Sequence, residues 1–336
     1  MEYIKSDILN KEISRVGLGT WAIGGWMWGG TDEQESIDTI HSALDKGITI
    51  IDTAPAYGFG KSEEIIGKAL KDYGERDKLI ISTKAGLQWD ENEKVTRNSS
   101  KERIFKEIDD SLERLQLDYI DIYQIHWPDT GVPFEETTEA MNKLLEQGKI
   151  KAIGVSNFSV EQMGSFRNGA PIHFCQPPYN LFERDAEEEV FPYCRENNIK
   201  IVSYGSLCRG LLSGKMKPGT KFKGDDLRKD DPKFRQPGYN DYLEAVDKVA
   251  HFAESKYNKK IIHLAVRWIL DQGSDIALWG ARRPDQLNPI NELWGWSLNQ
   301  QDIIIINNLI NTTVSNPVGP EFMAPAEKHG VDKDKS

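Results

Sequence analysis

The sequence predicts an α/β protein of the (β/α)8 class, the TIM barrel, in which eight parallel strands are each followed by a helix. Along 336 residues, short apolar runs rich in β-branched residues alternate with amphipathic helical stretches. Eight such units of about 40 residues each fit a barrel of ordinary size with insertions. A doubly wound sheet would need a Gly-x-Gly-x-x-Gly turn after its first strand, and no candidate strand is followed by one.

Eight apolar runs are the strand candidates. Several are almost continuously hydrophobic, which is typical of parallel strands covered on both faces. They lie at residues 14–18, 48–52, 79–84, 120–126, 150–155, 173–176, 200–204 and 275–279.

The stretches between these runs carry helix signals. Residues 99–117 place apolar side chains on one stripe at helical spacing. Three pairs, in which a hydroxyl residue precedes Glu or Gln by three positions, predict capping boxes at helix starts. The pairs are Thr31 with Gln34, Ser99 with Glu102, and Ser159 with Gln162.

Two segments fall outside the alternation. Residues 211–240, rich in Gly, Asp, Lys and Pro, are long for a loop in a compact barrel and predict a lid that covers a ligand. Residues 326–336 end in a charged stretch and predict a mobile tail. Because no linker divides the chain, we expect one domain over residues 1–336.

Composition excludes several classes of protein. A net charge of −11 argues against nucleic-acid binding, which needs a basic face. No apolar run is long enough to span a membrane. Residues 1–8 carry charges where a signal peptide would be apolar, so we expect no signal peptide. The three cysteines form no disulfide framework, and the histidines show no metal-ligand spacing. We therefore expect a cytoplasmic protein without a metal, monomeric or weakly oligomeric.

Four ionisable residues stand at or just beyond the carboxyl ends of predicted strands, where barrel enzymes carry their active sites. They are Asp52, Tyr57, Lys84 and His126. Each one taken alone is more often a structural residue, but the four together form a set suited to carbonyl reduction. Tyr57 would donate a proton to the carbonyl oxygen, and the Lys84 cation would depress the tyrosine pKa. Asp52 would hold Lys84, and His126 would orient and polarise the carbonyl.

A series of motifs resembles the signatures of the aldo-keto reductase family, in order, through essentially the whole chain. They are GLGTW at 17–21, DTAPAYG at 52–58, STK at 82–84, QIH at 124–126, GVSNF at 154–158, QPPYN at 176–180 and GARRPDQ at 280–286. WGAR at 279–282 and DLRKDDPKF at 226–234 are similar to the bacterial general stress protein 69 type of this family. The resemblance implies a stress-related reductase of aldehydes, with NADP(H) as coenzyme and a small carbonyl compound as substrate.

The resemblance also implies roles for individual residues. Asp52, Tyr57, Lys84 and His126 would form the catalytic tetrad, with Tyr57 as the general acid. Ser156, Asn157 and Gln176 would bind the nicotinamide carboxamide, Tyr204 would stack on its ring, and Arg282 would bind the 2′-phosphate. Lys215 and Arg228 would clamp the coenzyme from the long loop. The remaining coenzyme candidates are Thr20, Trp21, Asp52, Gly205, Ser206, Leu207, Cys208, Arg209, Gly280, Ala281 and Gln286.

Substrate contacts are assigned from the aromatic residues in the loops that follow the strands. Trp21, and with less support Trp127, would wall the substrate pocket, although aromatic residues also simply fill space. Two other classes of function stay open at this point. A coenzyme-binding sensor would bind NADPH without turnover, whereas a barrel hydrolase or isomerase would not bind it and is disfavoured by the missing metal ligands.

Overall fold

Eight parallel strands close into a barrel in the computed structural model, which describes residues 1–327. The predicted barrel is therefore confirmed. The last strand pairs with the first, with Leu278 beside Gly17, so no strand edge is left open. The strands are β1 Val16–Gly19, β2 Ile50–Asp52, β3 Ile80–Ala85, β4 Ile120–Ile125, β5 Ile150–Ser156, β6 Phe174–Gln176, β7 Lys200–Ser203 and β8 Ile276–Gly280.

Nine α-helices occur within residues 1–327, most of them packed around the barrel. They are α1 Glu33–Asp45, α2 Lys61–Tyr73, α3 Lys101–Leu115, α4 Phe134–Glu146, α5 Val160–Arg167, α6 Val190–Glu196, α7 Gly238–Tyr257, α8 Ile261–Asp271 and α9 Gln300–Asn311. None of the helices in this part of the chain is long and apolar enough to cross a membrane.

The predicted helix starts were partly right. Ser159 and Gln162 form the predicted capping box at α5. The other two predictions were wrong by one residue, because the backbone takes up its extended cap conformation one position later. Asp32 accepts from Glu35 N at α1, and Ser100 accepts from Arg103 N at α3.

The barrel interior is a packed core below the open end. Large aliphatic side chains and Phe174 fill it, and Ile13 of an antiparallel hairpin, Tyr3–Ser6 with Lys11–Ser14, plugs its lower end. Such filling makes the barrel a solid support, so that function is confined to the end where the strands terminate.

A small sheet lies beside that open end. Leu87–Trp89 pairs with Val95–Arg97 after β3, and Ala326–Glu327 adds a third strand. The first two residues of the predicted mobile tail therefore pair with Thr96 and Arg97. The rest of that prediction, residues 328–336, lies outside the described residues.

The predicted lid, residues 211–240, crosses toward the loop after β1. The carboxylate of Asp225 accepts hydrogen bonds from the backbone N–H groups of Met27 and Gly29, at 2.8 and 2.9 Å. Leu227 N donates to the carbonyl oxygen of Met27. The final residues of the predicted lid, from Gly238 onward, belong to α7. The segment is therefore tied to the barrel by backbone hydrogen bonds.

Four buried charges fasten the second half of the lid. Arg209, which follows β7, lies 2.5 Å from both Glu183 and Asp231. Lys233 lies 2.8 Å from Glu183 and donates to the carbonyl oxygen of Gly319. All four side chains are almost completely buried. Removing one partner of such a cluster leaves an uncompensated charge in the interior.

We expect Glu183→Ala to lower the free energy of unfolding by about 3–5 kcal/mol, because Arg209 and Lys233 would lose their shared carboxylate. Urea unfolding followed by circular dichroism measures the change. Glu188→Ala, a few residues further along and exposed, is the matched control and should stay within about 0.5 kcal/mol of the parent protein. Equal, small effects of the two substitutions would show that the cluster does not stabilise the lid.

Candidate active site

Two adjoining cavities open at the carboxyl ends of the strands. The first lies along the loops that follow β1, β7 and β8, and the second lies toward β4 and the C-terminal segment. The second cavity has a volume of about 400 Å³. The residues that border both cavities are Trp21, Tyr57, Tyr204 and Met323. A ligand in one cavity would thus meet a ligand in the other beside the Tyr57 ring.

Three of the four predicted catalytic residues are linked by hydrogen bonds beneath this junction. Lys84 Nζ donates to Asp52 Oδ2 at 2.7 Å, to the carbonyl oxygen of Thr53 at 2.8 Å, and to Tyr57 Oη at 3.2 Å. The Lys84 side chain is completely buried and that of Asp52 almost so. The ammonium group therefore uses all three of its donors within the protein, one of them on the Tyr57 oxygen.

The other oxygen of Asp52 is held by Gln176, a predicted nicotinamide-binding residue, and by Ser82 and Gln124, to which the sequence assigned no role. Oδ1 accepts from Gln176 Nε2 at 2.8 Å, from Ser82 Oγ at 3.1 Å and from Gln124 Nε2 at 3.3 Å. Ser82 and Gln124 precede Lys84 and His126 by two residues, so strand alternation places them on the same face. That spacing was the signal available in the sequence. These donors fix the carboxylate so that Oδ2 faces Lys84.

Burial is the largest influence on the pKa values of Tyr57 and Lys84. It raises the pKa of Tyr57 well above its ordinary value, and the negative charge of Asp52 raises it further. The prediction of a depressed tyrosine pKa was therefore wrong, because loss of solvent and the negative charge of Asp52 set the direction of the shift. Burial also lowers the pKa of Lys84, against the pull of Asp52. Tyr57 consequently keeps its proton at neutral pH.

His126 completes the set from the end of β4. Its ring meets the Tyr57 ring edge-on, with centroids 5.8 Å apart, and lines the second cavity. Burial and the Lys84 cation lower the pKa of His126 well below its ordinary value. The imidazole is therefore neutral at pH 7, with one N–H available to donate to a ligand oxygen.

A close backbone approach fixes Tyr57 over Lys84. Gly58 has a φ of +66°, and a Cβ at that position would lie 2.1 Å from the carbonyl oxygen of Gly24. The loops after β1 and β2 can therefore touch only with glycine at Gly58. Trp21, just before Gly24, stacks on the Tyr57 ring with centroids 6.0 Å apart.

The nicotinamide-binding candidates line the second cavity beside Tyr57. Tyr204 Oη donates to Asn157 Oδ1 at 2.9 Å, and Asn157 Nδ2 donates to Ser156 Oγ at 3.0 Å. The side chain of Gln176 donates through Nε2 to Asp52, and its side-chain oxygen Oε1 accepts no hydrogen bond from residues 1–327. A carboxamide could thus be bound by the Gln176 oxygen while the Tyr204 ring lies alongside.

The remaining coenzyme candidates divide into those that line the first cavity and those that do not. Lys215 is exposed and borders neither cavity, Cys208 is buried beneath the loop, and Arg228 lies behind the cavity wall. Candidates on the wall are Thr20, Trp21, Asp52, Gly205, Ser206, Leu207, Arg209, Gly280, Ala281, Arg282 and Gln286. Gly205, Gly210 and Gly280 leave a stretch of wall without side chains, which suits the close approach of a pyrophosphate.

Three arginines near this cavity already have ion-pair or hydrogen-bond partners within the protein. Arg209 belongs to the buried cluster with Glu183, and Arg228 pairs with Asp226 at 2.5 Å. Arg282 donates to the carbonyl oxygens of Trp28 and Gly30 at 2.7 and 2.6 Å. Sequence alone shows a positive charge but not its partner, so these contacts were not foreseen.

The two substrate-pocket candidates both line the second cavity. Trp21 lies at the junction, and Trp127 faces the cavity with Arg97 over its ring. Much of the remaining wall was not predicted, because it comes from segments distant in sequence. Those residues are Trp26, Met27, Leu87, Val95, Leu227, Asp230, Phe322, Met323, Ala324, Pro325 and Ala326.

Comparison with known proteins identifies the family. The sequence profile of the Aldo/keto reductase family matches residues 15–311. The chain belongs to this family. Members act as oxidoreductases on carbonyl and alcohol groups and bind nicotinamide coenzymes, so the reaction class suggested by the four residues is confirmed.

Individual relatives agree with this assignment. The chain is 58% identical over 332 residues to the aldo-keto reductase YhdN of Bacillus subtilis, with 98% of this chain and 100% of that protein covered. It is 36% identical over 292 residues to an NADH-specific methylglyoxal reductase of Escherichia coli, covering 82% and 88%. The solved glycerol dehydrogenase AKR11B4 of Gluconobacter oxydans is 49% identical and superposes with a TM-score of 0.86, covering 96% and 99%.

Because His126 is held neutral, it should make stability depend on pH. Below pH 6.5 the unfolded chain takes up a proton at this residue that the folded protein does not, so stability falls as the pH falls. We expect the parent protein to lose about 1.4 kcal/mol per pH unit more than His126→Gln below pH 6.5. Urea unfolding at pH 5.0–7.5 measures the slopes. His251→Gln, at an exposed histidine, should keep the parent slope, and an unchanged slope in His126→Gln would show that His126 titrates normally.

Proposed function

We propose that the protein is an NADPH-dependent reductase that converts aldehydes and ketones to alcohols, reversibly, with Tyr57 as the general acid. The observation that carries the proposal is the contact of a completely buried Lys84 ammonium with Tyr57 Oη at 3.2 Å. A buried cation on a phenol oxygen stabilises the anion that forms when the proton leaves. The arrangement therefore suits proton donation rather than passive packing.

Bound NADPH supplies a hydride to the carbonyl carbon. On the protein side, the neutral His126 ring can donate an N–H hydrogen bond to the carbonyl oxygen in the second cavity. Tyr57 passes its proton to that oxygen as negative charge develops there. The tyrosinate left behind is stabilised by Lys84, whose own charge is balanced by Asp52 at 2.7 Å. In the reverse direction the tyrosinate accepts the alcohol proton.

The preference for NADPH rests on Arg282. It lines the first cavity at the end of β8, where a planar guanidinium suits a 2′-phosphate. Its terminal nitrogens already hold the carbonyl oxygens of Trp28 and Gly30, so phosphate binding and the loop after β1 are coupled through one side chain. We further propose that Lys215 and Arg228 close over the coenzyme with the lid, and that the enzyme removes aldehydes during stress as a cytoplasmic monomer or weak oligomer.

If Arg282 binds the 2′-phosphate, Arg282→Met should weaken NADPH about 10- to 100-fold relative to NADH, as expected for loss of a charge-assisted hydrogen bond. Fluorescence titration of both coenzymes gives the ratio of dissociation constants. A general loosening of the loop after β1 would weaken the binding of both coenzymes equally and would therefore cancel in this ratio. Arg283→Met, which changes the neighbouring exposed arginine that pairs with Asp285, should leave the ratio unchanged. A ratio unaltered by Arg282→Met would place the phosphate elsewhere.

Tyr57→Phe should bind NADPH normally but lose at least about 1,000-fold in kcat, because the proton donor is removed while the ring remains. NADPH oxidation at 340 nm with benzaldehyde measures turnover. Tyr119→Phe, at the opposite end of the barrel, is the matched control and should keep the parent rate. Full turnover by Tyr57→Phe would contradict its role, and NADPH binding without turnover in the parent protein would favour a coenzyme sensor.

A further inference from the structure

The second cavity has an apolar wall away from the reacting groups. Its residues come from the loops after β1, β3 and β4, from the lid and from the C-terminal segment. Tryptophan and methionine side chains dominate it, with Trp26, Met27, Trp127 and Met323 among them. Such a wall suits the hydrocarbon body of a substrate and makes the burial of an unpaired charge costly.

No lysine or arginine lines this cavity within residues 1–327. The two arginines nearby, Arg97 and Arg228, have other hydrogen-bond and ion-pair partners. Arg97 pairs with Glu327 at 3.1 Å and donates to two backbone carbonyl oxygens, and Arg228 pairs with Asp226. Among residues 1–327, the cavity lining therefore offers no cation to a carboxylate on the far end of a substrate.

One carboxylate does border the cavity away from the reacting groups. Asp230 follows the short turn Leu227–Lys229 of the lid, and its backbone N–H donates to the carbonyl oxygen of Leu227. Arg235 contacts Asp230 through the backbone carbonyl oxygen, at 3.0 Å. Asp230 is exposed where it borders the cavity. Arg228 and Lys229 stand in the preceding turn, but Arg228 pairs with Asp226 and Lys229 donates to the carbonyl oxygen of Gly224. Within residues 1–327, no cation therefore pairs with the Asp230 carboxylate.

We infer that the second cavity selects carbonyl substrates by charge, with Asp230 as the selecting residue. It accepts neutral or cationic compounds with an apolar body and rejects those that carry a second, anionic group at the end distant from the carbonyl. For an anion, repulsion by Asp230 and desolvation by the apolar wall act in the same direction, and the net charge of −11 adds to the repulsion. For a cation, attraction by Asp230 and by the net negative charge opposes the cost of desolvation. The inference rests on the proposed reductase activity and assigns its substrate class.

The test uses three aldehydes that share one body: (4-formylphenyl)acetate, its methyl ester, and 4-formylbenzyl-trimethylammonium. The methylene spacer reduces the effect of the charge on the reactivity of the carbonyl, and comparing the protein variants on the same three compounds cancels the effect that remains. We expect kcat/KM with NADPH to be at least about 10-fold lower for the anion than for the ester, and highest for the cation. In Asp230→Asn, the ratio of kcat/KM for the ester to kcat/KM for the anion should fall several-fold. In Asp230→Lys, kcat/KM should be higher for the anion than for the cation.

Asp7→Asn, a change of equal charge on the exposed N-terminal hairpin, is the control and should leave the three ratios unchanged. Equal ratios in the parent protein and Asp230→Asn, or a preference for the anion in the parent protein, would overturn the assignment. Failure to reduce even the methyl ester would instead count against the reductase activity itself. The two failures are thus distinguishable in one experiment.

Discussion

The structure depends on a lysine ammonium group placed inside the barrel. Lys84 is completely buried at the end of β3, and such a charge is tolerated only when its donors are satisfied by nearby acceptors. Asp52, the carbonyl oxygen of Thr53 and Tyr57 Oη supply them. Because these groups come from β2 and the loop after it, the pairing of β2 with β3 and the position of Tyr57 are set by the same interaction.

The surroundings of this pair restrict motion around it. Ser82, Gln124 and Gln176 hold the second oxygen of Asp52, and the contact of Gly58 with Gly24 locks the loop that carries Tyr57. Further out, the buried cluster around Glu183 fastens the lid to the loops after β6 and β7. Rigid support of this kind places reactive groups before any ligand binds, which is how electrostatic catalysis avoids reorganisation at the moment of reaction.

The sequence was sufficient to predict the barrel and to predict that Asp52, Tyr57, Lys84 and His126 lie together at one end of it, because both predictions follow local rules. Strand periodicity locates the eight strands, and the residues at their carboxyl ends must share one end of the barrel. Properties that depend on the surroundings of a residue were not accessible. The direction of the Tyr57 pKa needed the depth of burial, and the ion pair of Arg209 needed the positions of Glu183 and Asp231.

The cavity walls show the same limit. Met27, Asp230 and Phe322 lie 92 to 295 positions apart along the chain but border one cavity. No motif marks them, because their shared position results from where the lid and the C-terminal segment cross the barrel mouth. Ser82 and Gln124 were only partly predictable from the sequence. Strand alternation places them on the same face as Lys84 and His126, but it does not show that they bind Asp52.

In the proposed reaction, Lys84 and Tyr57 act as one unit in proton delivery. The most direct test is a double-mutant cycle with Lys84→Met, Tyr57→Phe and both together, with single-turnover oxidation of bound NADPH by benzaldehyde followed in a stopped-flow instrument. Action as a unit predicts strong non-additivity, with the double variant reacting about as slowly as the slower single variant. Additive losses in the double variant would contradict it, because the two groups would then contribute to the reaction independently.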